Sequence, residues 1–258
     1  NALEQNTTAS NNTAVGTQSL EANTTGTRNT AVGYQALKAN TTSDDNTAVG
    51  RQALLANTTG ASNTALGKSA LTDNGTGDYN TAVGMNCLLA NTTGTQNVAF
   101  GAFALDASTT ASNNTAIGHL ALSASTTSGS TAVGHRALQA NTTGNGNIAI
   151  GKDSLYTNTT GQYNISIGYD SLQQNNADNN VAVGHDALKV NTTGTENVAM
   201  GANALDANTT GTGNTAVGRD ALGSNTTADN NTAFGRAAGK GVTTGIQNVL
   251  IGYNSGNY

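Results

Sequence analysis

Three aspartates, Asp153, Asp170 and Asp186, fall at the same phase of three successive repeats, so stacking the repeats brings three carboxylates together. Such a column attracts a hard cation. Ca²⁺ wants roughly six to eight oxygen ligands, and nothing else in the repeat supplies the remainder. Solvated charge beside Lys152 and His185 is the expected state. His119, His135 and His185 share the neighbouring phase, which elsewhere holds Tyr34, Arg51, Lys68 and Lys152. That variety marks a surface column and leaves zinc short of ligands. Cys87, the one cysteine, stands where other repeats carry Ala36, Ala53 or Ser154, as a small core residue would. A disulfide framework is excluded by count. No Ser-His-Asp set, Cys-His set or phosphate-binding loop is present. Asn-Thr-Thr recurs and matches the N-glycosylation acceptor, but it is also a turn sequence. No catalytic residue, metal or cofactor is expected, and the chain reads as non-enzymatic.

The elements that position these residues come from one repeat, N-T-A-V-G-x-x-A-L-x-A-N-T-T-G-x-x, whose positions are called places one to seventeen. Fifteen anchor glycines at place five run from Gly16 to Gly252. Twelve of the fourteen intervals are 17 residues; Gly118 to Gly134 and Gly168 to Gly184 are 16. A short, regular tandem period is the signature of a solenoid, in which each unit contacts only its neighbours.

Within the unit, place two is β-branched throughout (Thr13, Val98, Ile148) and place four is apolar (Val15, Phe100, Met200), as in a strand. Side chains alternate across a strand, so places two and four share a face, expected to be the core. The constant glycine calls for positive φ or a close backbone approach. A second short extended segment is expected at A-L-x-A, with Leu at place nine in the core, before the chain turns at N-T-T-G. Breakers recur too often for helices. The reading is an all-β parallel β-solenoid, or β-roll, of about fifteen coils. At about 4.8 Å per coil it would extend about 70 Å. Asparagines at places one and twelve would stack as structural ladders.

Place three is Ala in thirteen of the fifteen repeats: Ala14, Ala31, Ala48, Ala65, Ala82, Ala99, Ala116, Ala132, Ala149, Ala182, Ala199, Ala216 and Ala233. With place four taken as core, this ladder faces outward. Uniformly small outward residues imply another surface packed against them, so they are the candidate contact between chains.

Net charge is −5, with ten basic residues scattered singly, which disfavours nucleic acid. No apolar run approaches the roughly 20 residues of a membrane helix. The chain starts in mid-unit and reads as a segment of a longer fibre: one solenoid domain over 1–258, its coils degenerating over 236–258, where Gly239 and Gly256 replace Leu.

Asn46-Thr47-Ala48-Val49-Gly50 resembles the head repeats of trimeric autotransporter adhesins, and the longer unit at 29–45 resembles repeats of phage and bacterial tail-fibre-like surface proteins. The resemblance implies a homotrimer of parallel β-rolls, a structural or adhesive shaft located extracellularly, on a cell surface or on a virion, and a host surface or glycan receptor as partner. The alternative reading is an ice-binding solenoid using Thr and Asn ladders such as Thr24-Thr25 and Thr41-Thr42. Only one column of each Thr pair could face outward, and no outward T-x-T spacing is expected.

Overall fold

Only three residues per repeat adopt strand geometry. The computed structural model describes residues 1–257 and places a strand at places two to four of each repeat, from β1 (Thr13–Val15) to β15 (Val249–Ile251). The chain divides into two compact units, 1–129 and 130–258. The first holds β1 to β7 (Thr115–Ile117); the second holds β8 (Thr131–Val133) to β15. Within each unit consecutive strands pair in parallel and residue for residue, as in Thr30↔Thr47, Ala31↔Ala48 and Val32↔Val49, or Val198↔Thr215, Ala199↔Ala216 and Met200↔Val217. The fold is the all-β parallel β-solenoid expected, with coils of about 17 residues. The 16-residue coil between Gly168 and Gly184 keeps the register, pairing Ile165 with Val181, so its missing residue is absorbed outside the strand.

Place five turns the chain as its constant glycine requires. Gly50 has φ +137°, and a Cβ there would lie 2.4 Å from the carbonyl oxygen of Gly67 in the next coil. Both the backbone conformation and the stacking distance exclude a side chain.

The A-L-x-A segment is not a second strand. Places seven and nine adopt left-handed conformation, with φ 57° at Gln35 and 52° at Leu37. Its backbone groups still bond between coils. The N–H of Leu37 donates to the carbonyl of Ala53 at 2.9 Å, and that of Ala39 to Leu55 at 3.1 Å. The alternation of dihedrals turns the chain while keeping its polar groups paired. It also accounts for leucine at place nine, since a β-branched residue tolerates positive φ poorly.

The expected phase of the core is inverted. Places two and four do share a face, but it is the outer one. Ala31, Ala48, Ala65, Ala82, Ala99 and Ala116 of the first unit are fully buried, as are Ala132, Ala149, Ala182, Ala199, Ala216 and Ala233 of the second; Ala14 in the first coil is half-buried. The alanine ladder is sealed inside its own chain and does not face a partner. The reason lies across the coil. Ser154, at place eight, donates from Oγ to the carbonyl of Ser166 at place three (3.2 Å), and their hydroxyls lie 2.7 Å apart. Place nine presses on the same spot. Place three is therefore small because the leucine opposite fills a core one residue wide. The last coils prove the point by exchange. Leu250 occupies place three where place nine has become glycine, and a Cβ on Gly239 or Gly256 would come within 2.6 Å of the Leu250 methyls. The last two coils lose two place-nine leucines, and the single Leu250 fills the space from the other side.

The asparagine columns are the polar half of this core. At place twelve, Asn40 Nδ2 donates to Asn23 Oδ1 (2.9 Å) and to the Ser43 carbonyl (3.1 Å). At place one, Asn46 N–H donates to Asn29 Oδ1 (3.0 Å), while Asn46 Nδ2 closes its own coil on the carbonyl of Gly60 (2.9 Å). These side chains are fully buried, and each amide satisfies backbone groups that the turns would otherwise orphan.

Candidate functional site

The inversion of the core leaves the strand face exposed, and this face is the candidate site. In the first unit it carries Thr13, Thr30, Thr47, Thr64 and Thr81 in one column and Val15, Val32, Val49, Leu66, Val83, Phe100 and Ile117 in the other. In the second, Ile148, Ile150, Ile167, Met200 and Phe234 do the same. Val15 is 58% exposed, Phe100 56% and Phe234 60%. Strand register aligns these side chains coil on coil, so the exposed apolar atoms form contiguous columns within each unit. A contiguous exposed apolar patch marks an interaction surface, whereas scattered single residues do not. The repeat pattern contains this column, but alternation alone leaves open which side of the strand it faces.

The acidic column is brought together and neutralised by cations. Arg136 Nε and its terminal nitrogen grip both carboxylate oxygens of Asp153 at 2.8 and 2.9 Å, reaching up from the preceding coil. The same pairing raises the Arg136 pKa. Lys189 Nζ bridges Asp186 and Asp170, at 3.0 Å from each, and its pKa is raised by the hydrogen bonds to Asp186 and Asp170. These are clamps between coils. No cluster of His, Cys, Asp or Glu among the described residues could hold a metal ion.

Two of the three histidines lie on aromatic neighbours. His185 stacks on Tyr169 with ring centroids 5.4 Å apart and sits 3.3 Å from Asp186 Oδ2. His119 meets Phe103 edge-on at 6.2 Å. Cys87 is fully buried, and burial pushes its thiol up to about 12, the protonated and unreactive state.

No protein-family model matches the chain, and no curated protein matches it. No helix among the described residues is long and apolar enough to cross a membrane.

Proposed function

We infer that the chain is a non-catalytic, self-associating segment of an extracellular, cell-surface or virion fibre, serving as structural or adhesive shaft. The supporting observation is the outward apolar column at places two and four. Water-exposed valine, isoleucine, phenylalanine and methionine repeated in register on a parallel sheet gain by being covered. A second copy offers an identical column with the same spacing, so each coil can meet a like coil. Closed cyclic association buries the face on every chain. The resemblance of the N-T-A-V-G strand to trimeric adhesin heads makes a homotrimer the form proposed, with a host surface or glycan as its external partner. Sedimentation equilibrium is the test: about three chains per particle are expected under cyclic closure. A monomer at every concentration would sink the reading.

One observation favours ice binding as a second reading. Contrary to the sequence expectation, the threonines of place two face outward, five in succession from Thr13 to Thr81, each beside a place-four methyl group. Leu66 and Phe100 interrupt that column's companion. The two readings compete for one face, since a covered face meets no ice. Thermal hysteresis from a monomeric preparation would support the second reading; none at high concentration would end it.

A further inference from the structure

Two coils lack one residue, and the second of them leaves a depression at that point. Its turn runs Asn175-Asn176-Ala177-Asp178, where neighbouring coils have Asn158-Thr159-Thr160-Gly161-Gln162 and Asn191-Thr192-Thr193-Gly194-Thr195. Two hydrogen bonds identify the lost place. Asn175 Nδ2 donates to the Ala177 carbonyl at 2.8 Å, a step of two residues. In full coils the same bond spans three, from Asn158 Nδ2 to Gly161. Ala177 therefore holds place fifteen, and place fourteen is absent.

The vacancy is an open depression of about 350 Å³. It is lined by the place-fourteen Thr160 and Thr193, by the nearly buried Ala177, and by Gln162, Asn176, Asp178 and Thr195. The surrounding backbone is fixed by the missing residue's replacement. Asn176 Oδ1 accepts from the N–H groups of Thr159 and Thr160, both at 2.9 Å, which a main-chain carbonyl receives in other coils. That leaves the Asn176 amide nitrogen free to donate. Asp178 Oδ1 accepts from Gln162 N–H at 2.8 Å, leaving its second oxygen to accept. Thr193, Thr195 and Gln162 also line the depression, so its polar residues are neutral apart from the one carboxylate of Asp178. No cation lines the depression, so an anion is disfavoured, and one carboxylate is too few for a hard metal ion.

We propose that this depression is a binding subsite for a single neutral sugar ring. A pyranose presents vicinal hydroxyls that donate to a carboxylate and accept from amide and hydroxyl groups. The depression has room for one or two rings, and its polar groups are spaced along consecutive coils about 4.8 Å apart, comparable to hydroxyls across a ring. The proposal extends the adhesive reading but does not depend on self-association, which sedimentation tests separately.

The test is an amide chemical-shift titration of the ¹⁵N-labelled chain with methyl α-mannopyranoside, methyl β-galactopyranoside and N-acetylglucosamine. N-acetylneuraminic acid serves as the anionic arm. At least one neutral sugar should shift the amides of Thr160, Gln162, Asn176 to Asp178 and Thr193 saturably, with the anion inert. Inserting a threonine between Asn176 and Ala177 restores the full turn and fills the depression, so these shifts should vanish. Should that variant not fold, Thr193→Val removes one polar group without reshaping the backbone and should weaken binding about tenfold, the effect of one hydrogen bond. No saturable shift with any neutral sugar would overturn the proposal. So would shifts that survive both variants, or shifts seen only with the anion.

Discussion

At the residue scale, single positions are constrained by backbone stacking more than by chemistry. Gly50 cannot accept a methyl group, because φ is +137° and Gly67 O would lie 2.4 Å away. Gly50→Ala should destabilise by about 2 kcal/mol or more, as strained left-handed positions do. Gly75 is the control. A Cβ there meets nothing closer than 3.5 Å and its φ is unexceptional, so Gly75→Ala should be neutral or stabilise by up to about 1 kcal/mol. Thermal melts of both variants decide it. Asp206 bears the opposite kind of cost. Burial chiefly, with Asp220 and Asp186 nearby, raises its pKa. A raised carboxylate pKa means the folded state binds the proton more tightly. The penalty is therefore present when both states are ionised, at neutral pH, and is lost as pH falls through the folded value towards the unfolded one near about 4. Asp206→Asn should raise the melting temperature at neutral pH, with the gain disappearing below about pH 4.

At the element scale, the unit of stability is the ladder, and its breaks are specific. Place twelve becomes serine at Ser108, and both Asn91 Oδ1 and Ser108 Oγ are left buried without a partner. Ser108→Asn would supply the missing Nδ2 donor to Asn91 and to the Ala111 carbonyl. A gain of about 1 kcal/mol in unfolding free energy is expected from satisfying a buried acceptor; a loss would mean the column cannot take the larger side chain. The core pair at the last coils makes a second prediction. Leu250→Ala should open a cavity costing about 2 to 4 kcal/mol. Gly239→Leu alone should clash with Leu250, since a Cβ at Gly239 is already 2.6 Å from it. The double variant restores the small-place-three, leucine-place-nine pairing of other coils and should recover most of the loss. A double-mutant cycle showing simple additivity would disprove the exchange. These contacts explain what the repeat pattern alone concealed. Ala at place three and Leu at place nine are read separately as a surface and a core column, yet they are two sides of one contact.

At the scale of the whole molecule, the exposed column decides the state of association. Val49→Lys with Phe100→Lys places two charges on the outer strand face without touching the buried alanines or leucines. The doubly substituted chain should keep its circular dichroism spectrum while sedimenting as fewer chains than the wild type; an unchanged particle mass would show that the face is not the contact. The sequence by itself determined the solenoid, the coil length, the parallel register, the glycine turns and the asparagine ladders. Each follows from periodicity or from a residue whose conformational range is narrow, so tertiary context has little room to alter it. The tertiary structure alone decided which strand face is the inner one. Alternation fixes that places two and four go together, but both faces of this strand are apolar, and hydrophobicity cannot choose between alanine and valine. The choice is made by volume across the coil: Leu37 and Ala36 occupy the interior, only a methyl fits opposite them, and the larger side chains are turned out to meet the solvent.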